Sequence, residues 1–203
     1  MLPAVVPSAQ QPRQLSRISI RGERRSDIAA REKLLDAALG SDRFTKSSER
    51  LREGRVPARG LAFTAVEGRR LIGTVRLWSV NAGGAQGCLL LGPLAVASDV
   101  RSRGVGADLM WRALRTAEKL GYRAVLLVGD PAYYQRFGFS AEMTSALRMP
   151  GPFARERLLA CEFVPGTLRN ARGMIAADRP RSSRLAAIID SVVGAGIPLT
   201  QPA

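Results

Sequence analysis

The segment from Cys88 to Val128 constrains the fold more than any other part of the chain. Cys88–Ala97 is a long apolar stretch that reads as a strand. Val105–Leu120 is amphipathic, with Val105, Leu109, Ala113, Ala117 and Leu120 along one side and Arg112, Arg115 and Lys119 along another; Gly121 stops it. Ala124–Val128 is an unbroken apolar run of the kind found in strands buried on both faces. Strand, helix and buried strand in this order make a βαβ unit with a right-handed crossover.

The residues before it have a different rhythm. Arg17–Arg21 alternates as a short strand, and Ser26-Asp27 reads as a helix start with a serine cap, after which Ile28, Leu35 and Leu39 share a face. Lys46–Glu53 reads as a second, polar helix. Leu61–Val66 and Leu71–Val80 are strands around the turn Glu67-Gly68-Arg69-Arg70, and Asn81–Gly84 reads as a loop. Hairpins followed by a βαβ unit predict a single α/β domain over residues 17–176, with a mixed sheet flanked by helices. Residues 1–16, with three prolines, read as a flexible leader without the features of a signal peptide. Residues 177–203 read as an appendage with a short amphipathic helix carrying Leu185, Ile188, Ile189 and Val192. No apolar run approaches the ~20 residues of a membrane helix, and no internal repeat is present.

Composition narrows the chemistry. The 203 residues include no histidine, which removes Ser-His-Asp and Cys-His devices, histidine-ligated zinc and a histidine general base. Cys88 and Cys161 are 73 positions apart among apolar neighbours. They read as reduced core thiols of a cytoplasmic protein, and no metal-ligand spacing exists. The net charge of +14 attracts anions in general. It motivates a rival reading as a basic nucleic-acid-binding protein. Basic and acidic residues are interleaved, however, and aromatic residues are only 5%, so nucleic acid is not the expected partner.

Two local features point to a site. Arg101-Ser102-Arg103-Gly104-Val105-Gly106-Ala107 joins the apolar strand to the amphipathic helix. Such a turn aims backbone N–H groups and the positive end of the helix outward, as phosphate binding requires, and the two arginines add charge. It is neither a P-loop, since no Gly-Lys pair exists, nor a dinucleotide fingerprint, since Leu109 stands where a third glycine or alanine belongs. The second feature is Gly92-Pro93 inside the strand. Proline cannot donate to a ladder, so the strand bulges there and leaves backbone groups of Leu94, Ala95 and Val96 for another partner, such as an amide-bearing ligand.

With Tyr134, Gly138 and Phe139 some thirty residues on, these features resemble the GNAT superfamily of acyl-coenzyme A-dependent N-acetyltransferases. Its Arg/Gln-x-x-Gly-x-Gly/Ala signature corresponds to Arg101, Gly104 and Gly106, and its Tyr-x-x-x-Gly-Phe element to Tyr134–Phe139. The strings Leu91–Val96 and Gly129–Tyr134 resemble a bacterial branch of uncharacterised acyltransferases. The resemblance covers residues 17–176. It implies a mixed, mostly antiparallel sheet with a splayed βαβ unit that binds coenzyme A and helices on both faces. It also implies acetyl transfer from acetyl-CoA to a primary amine, by direct attack in a ternary complex and without a metal. By position, residues 101–107 take the pyrophosphate, Leu94, Ala95 and Val96 take the pantetheine arm, the N–H of Val96 polarises the thioester, and Tyr134 is the acid that protonates the leaving thiolate. A catalytically degenerate acyl-CoA sensor is an alternative within the same resemblance.

The base is less defined. Asp130 is the carboxylate nearest Tyr134 in sequence, but Asp130-Pro131 is also a good helix start; Glu67 and Glu142 are further candidates. Tyr133 and Phe137 read as core. The acceptor, a small-molecule or peptide amine, is expected to meet the N-terminal helices, the loop at Asn81–Ala85, Arg76 and Trp78. A homodimer is compatible with the pattern.

Overall fold

The computed structural model describes residues 18–178. The leader and the appendage helix expected over residues 185–192 lie outside the described residues. Eight strands form the sheet: β1 (Ile18–Gly22), β2 (Ala62–Glu67), β3 (Arg70–Ala82), β4 (Ala85–Val96), β5 (Ala124–Val128), β6 (Leu147–Arg148), β7 (Leu158–Glu162) and β8 (Gly173–Ala177). The main path runs β1-β2-β3-β4-β5-β7, and β8 pairs with both β3 and β6. All pairs are antiparallel except β4–β5 and β6–β8. The helices are α1 (Ile28–Leu39), α2 (Val105–Lys119) and the single turn α3 (Pro131–Tyr134).

β3 and β4 form the longest hairpin, closed by Gly83 and Gly84, both at positive φ (58° and 95°), which sets the twist that a two-residue loop needs. Asn81 and Ala82 therefore belong to β3 rather than to a loop, and Ala82 pairs with Ala85. Alternation along the strands sends Leu89, Leu91, Val125 and Leu127 into one cluster of the core and Cys88, Leu90, Ala124 and Leu126 into another. α1 and α2 cover opposite faces. Gly73 of β3 lies under α2, where a Cβ would come within 2.9 Å of Leu109 Cδ1. Three residues on, Arg76 points to the other face and pairs with Glu23, which also accepts from Arg31 of α1.

α2 buries Val105, Leu109, Met110, Ala113, Leu114 and Ala117. Leu120, placed on this stripe by periodicity, is exposed because the helix has ended and Gly121 (φ 79°) has turned the chain away. Two expectations near the N-terminus fail. Ser26 does not cap α1: Asp27 is buried, its carboxylate takes the Arg21 guanidinium (2.6 and 2.9 Å) and the Arg24 N–H (2.7 Å), and residues 25–27 close as a 3-10 turn. Ile28 is consequently exposed, and α1 buries Arg31, Leu34 and Leu35 instead. The polar helix expected over Lys46–Glu53 is absent; 3-10 turns at Ser41–Phe44 and Glu49–Leu51 stand there. With no apolar stripe to bury, this segment is pinned by its arginines: Arg43 to Glu32 and Asp36, Arg52 to Ser48 and Glu49.

Candidate active site

The parallel pairing of β4 with β5 covers only Cys88–Leu90 against Ala124–Leu126. Beyond it β4 continues along β3 and β5 along β7, so the two strands part and leave a cleft. The cause lies at the Gly92-Pro93 bulge: Val75 pairs with Leu94 but Leu77 pairs with Leu91, so β4 carries one extra residue, two against Arg76 alone. Trp78 fixes this bulge by donating its indole N–H to the Gly92 carbonyl (2.6 Å).

The open edge of β4 presents specific groups. The Ala97 N–H donates to Ile72 O of β3 (2.9 Å). Backbone groups alternate in direction along a strand, so those of Ala95 also face β3, while those of Leu94 and Val96 face the cleft. Of the three residues assigned to the pantetheine arm, Leu94 and Val96 thus offer free-edge amides. Ala95 does not; its backbone is engaged with β3 and its side chain is buried.

Two cavities lie along this edge. One, of about 340 Å³, is lined by Val96, Val100, Arg101, Ser102, Gly104–Ala107, Tyr133 and Arg136. The turn reaches it through left-handed Ser102 (φ 67°) and Gly104 (φ 81°), the latter capping α2, whose first N–H groups have no intrahelical acceptor. A Cβ at Gly106 would sit 3.0 Å from the Tyr133 hydroxyl and 3.6 Å from Val96 Cγ2, so only glycine leaves this floor open. Arg103 faces elsewhere: it is bound to Glu67 (2.8 Å), and neither residue lines the two cavities. Arg136 takes the place expected of Arg103, stacked over the Tyr133 ring at 4.7 Å.

The other cavity, of about 460 Å³, occupies the cleft itself. Leu91–Leu94 form one wall, Leu127–Asp130 with Tyr133 and Tyr134 a second, and Arg43, Lys46, Ser48, Glu49 and Arg52 a third. Tyr133 lines both cavities and joins them, so it is not simply the core residue expected; Phe137 is. Burial, the neighbouring Tyr133 and Asp130 push the Tyr134 phenol up to about 12, with Arg157 opposing, so it is fully protonated at neutral pH. Gly129 makes room for it: a Cβ there would stand 2.2 Å from Tyr134 Cε2. Asp130 caps α3, accepting from the Ala132 N–H at 3.1 Å, while still lining the cavity. Glu49 is the other carboxylate in its wall, and Glu142 lies in a separate depression. The hairpin tip at Asn81–Ala85 lines neither cavity. Arg76 and Trp78 line a smaller depression beyond Pro93 and Arg52.

Residues 29–139 match the acetyltransferase (GNAT) family. The chain belongs to that family. N-acetyltransferase YhbS of Escherichia coli (strain K12) is 31% identical over 157 residues, 77% of this chain and 93% of that protein. A crystal structure of YhbS from Escherichia coli in complex with CoA matches with a TM-score of 0.69 at 28% identity, over 80% of this chain and 90% of that one. A GNAT family acetyltransferase from Brucella melitensis, solved in complex with acetyl-CoA, matches with a TM-score of 0.61 at 25% identity, over 82% and 99% of the two chains. The mixed, mostly antiparallel sheet with its splayed βαβ unit is that of the GNAT fold.

Sequence reasoning missed several residues of the GNAT cleft in this chain, among them Gly129, Arg136, Glu49 and Arg52. Gly129 and Arg136 flank motifs already singled out, and the requirement that Tyr134 lie against the backbone was the available signal for Gly129. Glu49 and Arg52 carried no signal, because their segment was read as a regular helix rather than as a wall of the cleft.

Proposed function

We propose that this GNAT protein transfers an acetyl group from acetyl-CoA to a primary amine by direct attack in a ternary complex. The observation that carries this reading is the continuous path from the N-terminus of α2, along the open amides of Val96 and Leu94, to the cavity where Tyr134 stands. Relatives bound to CoA and acetyl-CoA support it. Residues 101–107 are suited to a pyrophosphate through orphan N–H groups and the helix dipole, with Arg101 and Arg136 adding charge. The edge amides of Val96 and Leu94 then take the pantetheine arm. Val96 stands at the turn end and Leu94 lines the cavity of Tyr134, so we assign the Leu94 N–H to the thioester carbonyl in place of Val96.

The step balances as follows. The amine nitrogen attacks the carbonyl carbon, the C–S bond breaks, and the sulfur takes the phenolic proton of Tyr134. The ammonium formed gives its proton to Glu49 or Asp130, directly or through water, and the Tyr134 phenolate takes a proton back from that carboxyl or from water to restore the phenol. A phenol near 12 is a donor that never loses its proton in the working range. Fixed amides in a dry cleft stabilise the charge on the carbonyl oxygen, and alignment of the two reactants lowers the barrier further. The free thiols Cys88 and Cys161 fit a cytoplasmic location.

Calorimetry with acetyl-CoA and thiol release against an amine panel test the proposal. Saturable binding is expected. Tyr134→Phe should lower kcat about a hundredfold or more, with acetyl-CoA affinity retained, and no phenol-linked loss of rate should occur below about pH 10. Unchanged kcat in Tyr134→Phe removes the acid; absence of saturable binding removes the function.

A further inference from the structure

The cleft cavity has an excess of positive charge. Arg43, Lys46, Arg52 and Arg157 line it against two carboxylates, Glu49 and Asp130. The coenzyme phosphates have their own cations at the turn-end cavity, and the two cavities share only Tyr133. The excess therefore has no use in holding the pyrophosphate.

The four cations are not equivalent. Arg43 is satisfied by Glu32 (2.6 Å) and Asp36 (3.0 Å). Arg157 donates to the Gly129 carbonyl (3.3 Å) and so braces the chain at Tyr134. Lys46 is exposed. Arg52 differs from all three: it is buried, as Lys46 and Arg157 are not, and it holds one carboxylate where Arg43 holds two. It is 7% exposed, and its guanidinium touches Ser48 (Nε to the carbonyl oxygen 3.1 Å, Nη2 to Oγ 3.3 Å) and one carboxylate, Glu49 (2.8 Å). Its Nη1 has no hydrogen-bond acceptor among the described residues and lies 3.7 Å from the Cβ position of Gly92, at the bulge that opens the cleft. Burial pushes this guanidinium down while the carboxylates around Arg43 push that one up. A buried arginine in a cavity wall, with a donor left over beside the bulge and a single carboxylate partner, is a seat for an anion. Glu49, held beside it, sets an acidic oxygen next to that seat, so the pair presents both signs to one small molecule.

We infer that the amine acceptor carries an acidic group, a carboxylate or a phosphate, which Arg52 binds in the wall of the cavity that Tyr134 also lines. This rests on the cleft being the acetyl-transfer site. The acceptor is then an amino acid, an amino-carboxylate or a phosphorylated amine rather than a simple amine or polyamine.

The experiment compares matched amines at saturating acetyl-CoA, reading kcat/KM by thiol release: butylamine against 4-aminobutyrate, cadaverine against lysine, and ethanolamine against O-phosphoethanolamine. The acidic member of at least one pair is expected to be favoured about ten- to hundredfold, as one charge-assisted hydrogen bond provides. The first two pairs report a carboxylate and the third a phosphate. In Arg52→Gln the ratio should collapse toward one. Lys46→Gln, at an exposed position where folding is not at stake, should reduce it by a smaller factor. Acidic members with no advantage in any pair overturn the inference, as does a preference that survives in folded Arg52→Gln. Acetyl-CoA affinity, measured in parallel, separates the two levels: binding without an acidic preference sinks only the acceptor class, whereas no binding sinks the acetyl-transfer reading beneath it.

Discussion

Gly129→Ala isolates the placement of Tyr134 from its chemistry. A Cβ built on Gly129 stands 2.2 Å from Tyr134 Cε2, 2.7 Å from Cδ2 and 3.0 Å from Leu127 Cδ1. Carbon atoms in contact rest at about 3.5–4.0 Å, so the ring must retreat by roughly 1.5 Å, or the chain at residue 129 must move. The ring has little freedom to retreat, being packed edge-on against Tyr133 (4.9 Å between centroids) and against Phe139 (6.0 Å). The backbone is held as well, since the Gly129 N–H donates to the Arg157 carbonyl (2.9 Å). Overpacking of this kind costs about 1–3 kcal/mol, which denaturant titration will read as a lower midpoint with an unchanged slope. A donor displaced by about 1 Å loses about a hundredfold in rate. The expected result is kcat down about a hundredfold in thiol release, with the calorimetric affinity for acetyl-CoA within about threefold of the unmodified protein, because residue 129 lines only the cleft cavity. Near-normal kcat in a folded Gly129→Ala protein would refute the claim that the reaction depends on where this phenol stands.

Two further predictions concern the arginines. Arg101→Ala should weaken acetyl-CoA binding about tenfold, the value of one charge-assisted contact. Arg103→Ala, which removes a side chain already bound to Glu67, should change it less than twofold; calorimetry of the two variants side by side checks this. Asp27→Asn should lower stability by about 1–3 kcal/mol, because the carboxylate accepts from both Arg21 and the Arg24 N–H. The Arg21 hydrogen bonds hold Asp27 down at about 2, against an ordinary value of 3.8. A lowered folded value stabilises above the ordinary one. The contribution should therefore be present above pH 4 and disappear as pH falls toward 2, measured as a shrinking difference between the two proteins in urea.

The βαβ unit and its glycine turn were legible because everything that specifies them is local. Val105, Leu109, Ala113 and Ala117 repeat at helical spacing, Ala124–Val128 is uniformly apolar, and Pro93 announces a bulge within its own strand. The exchange of Arg103 for Arg136 was not legible, because it is decided by Glu67, 36 residues away. The wall formed by residues 41–52 was hidden for the same reason. Its Arg43 meets Glu32 and Asp36 on α1, and Glu23 reaches Arg76 across 53 residues. No periodicity encodes such pairs.

These pairings also account for the chain's preference for arginine over lysine. Seven arginines form ion pairs among the described residues. Two others bridge a pair of backbone carbonyls. Arg55 donates to the carbonyls of Leu51 (3.0 Å) and Ser79 (3.1 Å), and Arg155 to those of Thr144 (2.6 Å) and Leu147 (2.5 Å). Each of the two thus ties a 3-10 turn to a strand: Leu51 and Thr144 stand in turns, Ser79 in β3 and Leu147 in β6, and turn carbonyls need such donors when they are half-buried. A planar guanidinium with five donors serves two at a fixed angle, where an ammonium on a flexible stem holds such a geometry less well. The short 3-10 turns after α1, and the loops around β6, are the segments with the fewest ladder bonds, and they are where these bridges stand. Part of the positive charge, at Arg55 and Arg155, thus braces irregular segments. Arg52 stands apart because it is buried in the wall of the cleft cavity with a single carboxylate, Glu49, where buried Arg43 has two.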